Sequence, residues 1–123
     1  MSEDIQVWLK QAERDFKSAN NSFKSGDYYV TALLVQQSIE KSLKFLYIKK
    51  NKTLIRIHDL VKLAREISAS EEIIKLCAFI NPIYTEVRYP ESSELPASKV
   101  NKNEAEQMLG YAFIIIKWVK KQI

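Results

Sequence analysis

The stretch Gln36 to Tyr47, QQSIEKSLKFLY, limits the fold more than any other part of the chain. Ile39, Leu43 and Leu46 recur every three or four residues, the spacing that lines one face of an α-helix. Gln36, Gln37, Glu40, Lys41 and Lys44 crowd the adjoining surfaces of that helix. Such a segment is either ordinary amphipathicity or one wall of a functional site. The single histidine follows closely, in HDLVKL at 58–63.

The same periodicity extends over most of the chain. Ser2 is placed to cap a first helix, with Glu3 and Asp4 in its first turn. Trp8, Ala12, Asp15 with Phe16, Ala19 and Phe23 continue it, and Gly26 closes it as a C′ glycine. Asp27 then caps a second helix from about Tyr28 to Lys49, apolar on more than one face. A basic loop, Lys50 to Ile57, leads to a short helix that starts near His58 or Asp59 and ends near Ile67. Ser70, Glu71 and Glu72 open a fourth helix carrying Ile74, Cys77, Ala78 and Ile80, which Pro82 either kinks or ends.

Residues 89–102 hold two prolines and three serines and read as an exposed connection. Asn101 or Asn103 caps a last helix reaching Lys121. One side of it carries Ala105, Met108, Leu109, Ala112, Phe113 and Ile116. The other side carries Tyr111, Ile114, Ile115 and Trp118, so it calls for a central position or a partner subunit. Trp8, Phe16, Phe23, Phe45, Phe79, Phe113 and Trp118 are expected in the core. Tyr28, Tyr29 and Tyr89 are expected at a surface.

Only two glycines and three prolines occur in 123 residues, too few for the turns of an all-β chain. The expected fold is therefore all-α, a single domain over 1–123. It is an antiparallel up-and-down bundle of four longer helices plus one short helix. The lone cysteine, Cys77, forms no internal disulfide and sits on an apolar face. No secretory signal is visible in residues 1–20, and the apolar run Met108 to Ile116 is too short to span a bilayer. A cytoplasmic protein without membrane association is expected.

Charge is unevenly distributed. Lys41, Lys44, Lys49, Lys50, Lys52, Arg56 and Lys62 face Asp59 alone, net +6 between 41 and 62, and the rest of the chain sums to −2. That segment either attracts polyanions or is a solvated loop with lysines complementing helix C-termini. His58 either packs at a helix start or acts as a general base or phosphate ligand near Lys41 and Lys44. Arg88, before the long connection, is an anion-binding candidate with Tyr89, or else the partner of Glu86, Glu91 or Glu40. One histidine and one cysteine cannot make a His/Cys zinc site, Asp59 beside His58 is too little on its own, and no glycine-rich phosphate loop occurs. No metal or cofactor is expected.

Four segments together resemble the HEPN domain, a helical module often found beside minimal nucleotidyltransferases. They are WLKQAERDFKSA, GDYYVTALLVQQSIEKSLKFLY, HDLVKL and the Arg88-Tyr89-Pro90 triplet, in that order over almost the whole chain. The resemblance implies an antiparallel bundle that usually forms homodimers, with a nucleotidyltransferase subunit and a nucleotide or RNA as partners. Many members are ribonucleases, often from toxin–antitoxin pairs, that use an Arg followed by a His after four to six residues. Here those positions after Arg14, Arg56, Arg65 and Arg88 hold no histidine. The departure favours a non-catalytic binding and interaction module. The alternative is a ribonuclease with a rearranged site using His58 and Arg88, with no confident catalytic residue. Lys41, Lys44, Arg88 and Tyr89 are the residues expected to contact phosphate or nucleotide.

Overall fold

A computed structural model describes residues 2–86 and 99–123, with side chains over 5–84 and 99–123. Every element in the described residues is helical: α1 (Ser2–Lys24), α2 (Tyr28–Asn51), α3 (Leu60–Glu66), α4 (Glu71–Ile80), α5 (Ile83–Glu86) and α6 (Lys102–Lys121). The all-α bundle read from the periodicity is the fold observed.

The α1–α2 turn shows how local chemistry sets the antiparallel pair. Gly26 takes a φ of 84°, a conformation that costs a residue without Cβ least. Its N–H donates to the Phe23 carbonyl (3.1 Å) and that of Asp27 donates to the Ser22 carbonyl (2.9 Å), satisfying the last carbonyls of α1. The Asp27 position is right for an N-cap, but its side chain makes no cap bond. Its backbone carbonyl accepts from Thr31 N–H instead (3.0 Å). A hydroxyl pair, Ser22 and Thr31 at 2.9 Å, fastens the two helices beside the turn.

α2 is the centre of the molecule and packs against α1, α3, α5 and α6. That position explains its several apolar faces. Val35, Ile39, Leu43 and Phe45 are fully buried there, each worth about 1.5–3 kcal/mol relative to exposure. α2 ends at Asn51, where Lys52 turns into the left-handed region and its N–H reaches the Ile48 carbonyl. α6 runs in the same direction as α2. Its C-terminal Gln122 shares a surface hollow with Lys49 and Lys50, while its Lys120 bridges to Glu13 of the oppositely directed α1 (3.0 Å).

Three smaller helices return the chain between α2 and α6. Asp59, not His58, caps α3, accepting from Val61 and Lys62 N–H. Ser70 caps α4. Pro82 does end α4: the helix stops at Ile80, and the four-residue α5 begins after the Asn81-Pro82 turn. Asn101 caps α6 in a reciprocal capping box with Glu104.

Two aromatic assignments need correction. Phe79 and Phe113 were expected in the core, yet both are exposed, at 49% and 57%. On α6 the inward face is Ala105, Met108, Leu109, Ala112, Ile115, Ile116 and Val119. Both apolar sides of α6 satisfy helical spacing, and only the position of α2 decides that Ile115 turns inward and Phe113 outward. Phe16 lies 6.5 Å from the Phe113 ring. Of the other side, Ile115 is fully buried, Tyr111 and Trp118 are half-buried against the core, and Ile114 is exposed.

Candidate functional site

The polar band of α2 does not lie on the surface. Gln36 is fully buried, and Glu40 and Lys44 are each 5% exposed. Four-residue spacing stacks the three on one face of the helix. Glu40 is the hub of the cluster. Gln36 Nε2 donates to Glu40 Oε1 (2.9 Å), and Lys44 Nζ reaches Oε2 (3.0 Å). His58, carried on the segment before α3, places Nδ1 2.9 Å from the same Oε2. Gln37 Nε2 in turn donates to Gln36 Oε1 (2.7 Å).

Burial pushes the Glu40 carboxyl up, but hydrogen bonds from His58, Gln36 and Lys44 and the Lys44 charge outweigh it. The carboxyl is held below its ordinary 4.5. Glu40 is therefore an anion at neutral pH, and a carboxylate can only accept. The proton at the contact belongs to His58 Nδ1, and Nε2 is the ring nitrogen that Glu40 does not engage. The His58 side chain is 52% exposed. Its ring stacks on Tyr84 of α5, centroids 4.7 Å apart and planes at 15°.

Asp59 and Asn81 complete the surroundings. Asp59 Oδ1 accepts from Val61 N–H, Lys62 N–H and Asn81 Nδ2 (3.0–3.1 Å), and Asn81 Oδ1 accepts from Leu60 N–H (2.8 Å). Burial raises the Asp59 carboxyl, and the bonds from Lys62, Asn81 and Val61 bring it below its ordinary 3.8. His58, Asp59, Val61, Ala78, Asn81, Pro82 and Tyr84 line an open groove of about 380 Å³. A rigidly held imidazole at its edge can donate to or accept from a ligand, and the Tyr84–His58 stack offers a flat face.

The expected phosphate ligands have distinct placements. Lys44 is buried beside Glu40, its ammonium 5.9 Å from the Trp8 ring centroid. Lys41 is bound to Asp15 at 2.6 Å, and Asp15 also accepts from Gln11. Both lysines are thus engaged inside the protomer. Arg88 and Tyr89 lie outside the described residues. Tyr28 and Tyr29 are half-buried against the core, Tyr28 with its ring 5.6 Å from Phe23. Cys77 is buried, and that burial pushes its thiol up to about 12, so it stays protonated.

Glu40 as a buried hub, Asn81 and Tyr84 were not singled out by the sequence. The step Gln36, Glu40, Lys44 was visible, but its burial depends on what packs on α2, with His58 before α3 reaching Glu40 and Trp8 of α1 lying beside Lys44. Among the described residues no three His, Cys, Asp or Glu side chains gather to hold a metal ion. No helix there is long and apolar enough to cross a membrane.

The chain has close structural counterparts. It superposes on the crystal structure of a Thermus thermophilus protein with a TM-score of 0.89 and 24% identity, covering 97% of this chain and 98% of the other. It superposes on a crystal structure of an archaeal HEPN homologue with a TM-score of 0.82 and 29% identity, covering 96% of each. No curated protein matches it. The sequence profile of the HEPN domain matches residues 5–122, and the chain belongs to the HEPN domain family.

Proposed function

We propose that this protein is a non-catalytic HEPN module. It dimerises, pairs with a separately encoded nucleotidyltransferase subunit and contacts a nucleotide or RNA at the His58 groove. One observation supports the binding reading most. The His58 ring is immobilised by Glu40 and Tyr84 at the rim of an open groove, with no partner for Nε2 among the described residues. A fixed ring loses little freedom when it binds a phosphate or base. Lys44 is buried against Glu40, and Lys41, a quarter exposed, already shares its charge with Asp15. First contact is therefore assigned to His58, with Arg88 and Tyr89, which follow α5 in sequence.

The non-catalytic part of the reading rests on spacing. No histidine follows any arginine after four to six residues, so the guanidinium–imidazole pair used by ribonuclease members is absent in that form. Affinity purification of the tagged protein from its native cells tests the partner, with recovery of a nucleotidyltransferase subunit expected. A protein that remains monomeric and recovers none contradicts it.

The Glu40–His58 contact also supports a second reading, a toxin-like ribonuclease with a rearranged site. A carboxylate on Nδ1 leaves Nε2 able to take a proton from an attacking hydroxyl, and Arg88 would stabilise the phosphodiester transition state. Cleavage of cellular RNA that disappears in both His58→Ala and Arg88→Ala would establish this reading. Cleavage unchanged by either substitution would mark a contaminant.

A further inference from the structure

We infer that the outward face of α6 receives a second copy of this chain, its α6 antiparallel and crossing at the level of Ala112. The inference rests on the dimer proposed above and specifies its face and register.

Opposite the buried face of α6, Glu106, Gly110, Phe113, Ile114 and Lys117 recur at three- and four-residue steps and are all exposed. Phe113 and Ile114 are 57% and 40% exposed. Gly110 is the unusual member. Its φ is that of an ordinary helical residue, and a Cβ added there would meet nothing within 4 Å. Neither backbone conformation nor packing within the protomer requires glycine, although mid-helix glycine costs about 1 kcal/mol relative to alanine. A site where another backbone must come close does require it.

The charges identify the occupant. Neither Glu106 nor Lys117 has an ion-pair partner among the described residues. A two-fold axis crossing α6 near Ala112 puts Glu106 about 9 Å to one side and Lys117 about 7.5 Å to the other, at 1.5 Å per residue. In an antiparallel pair each Glu106 then meets the partner subunit's Lys117. Each Gly110 meets the partner subunit's Phe113 and the partner subunit's Ile114. Small faces large and acid faces base within a single stripe, which is the self-complementarity an isologous interface demands. A parallel pair would set like charges together.

The test is sedimentation equilibrium at low salt on the wild type and four variants: Glu106→Lys, Lys117→Glu, the double reversal, and Gly110→Leu. Circular dichroism verifies that each folds, and the open space at Gly110 leaves room for leucine within the protomer. The wild type should be a dimer. Each single substitution should weaken it by roughly tenfold or more in Kd, and the double reversal should restore it to within about threefold. A wild-type dimer indifferent to all four variants overturns the α6 interface while leaving the dimer itself standing. So does a double reversal no tighter than the singles. A wild type monomeric at every concentration overturns both.

Discussion

His58 Nδ1 lies 2.9 Å from Oε2 of Glu40, joining the entrance of α3 to the middle of α2 across 18 residues of sequence. The same oxygen holds Lys44 at 3.0 Å, so one buried carboxylate both positions an exposed imidazole and neutralises a buried ammonium. Much of the site's behaviour depends on that sharing.

Removing the carboxylate should be costly because Lys44 stays buried. Glu40→Leu leaves an uncompensated ammonium at 5% exposure, and breaking such a pair costs about 3–5 kcal/mol. Replacing both partners, Glu40→Leu with Lys44→Met, should recover most of the loss. Urea unfolding of the three proteins measures this. A Glu40→Leu loss under about 1 kcal/mol would mean that Lys44 finds water or another anion.

Acid should weaken the same contact in a defined window. The folded-state carboxyl of Glu40 is depressed, since its hydrogen bonds and the Lys44 charge outweigh the opposing effect of burial. Its stabilisation is therefore full above the ordinary 4.5 and is lost as pH falls through the lower folded value. Below the ordinary 4.5, the stability gap between wild type and Glu40→Gln should shrink as pH falls. A gap that widens on acidification would contradict the assignment.

Asp59 and Asn81 should behave as one unit. Asp59 caps α3 and accepts from Asn81, while Asn81 holds the Leu60 N–H that opens the same helix. Asp59→Ala should cost about 1–2 kcal/mol, as lost caps do. Asn81→Ala should cost a similar amount. Together they should cost at least about 0.5 kcal/mol less than the sum of the singles, because each single change already disables part of the other's contacts. Strict additivity in thermal unfolding would show the two to be independent.

His58→Ala should leave the fold largely intact. The ring is half exposed, and an ordinary hydrogen bond contributes about 0.5–1.5 kcal/mol. A loss above about 3 kcal/mol by urea unfolding would instead make His58 a structural residue.

The helices were legible because local chemistry marks their ends. Gly26 carries the positive φ its position called for, Ser70 accepts from Ile73 N–H, and Asn101 sits in its capping box. The orientation of α6 was not legible, because Phe113 and Ile115 both fit an apolar stripe. Only the placement of α2 separates them. The site divides in the same way. His58 stood out as the single histidine, and its neighbour Asp59 was visible as a possible helix start. Glu40 looked like one more surface carboxylate, since burial arises from distant segments packing on α2 and leaves no mark on four-residue spacing. Lys41 and Lys44 looked free for the same reason, and their counter-charges come from Asp15 and Glu40.

Binding of a 5′-labelled single-stranded RNA, followed at two salt concentrations and then run on a denaturing gel, tests the proposed role most directly. The expected result is binding that weakens with salt, weakens further in the folded His58→Ala variant, and returns the RNA at full length. RNA shortened by the wild type and spared by His58→Ala would contradict it, making the Glu40–His58 pair the core of a ribonuclease.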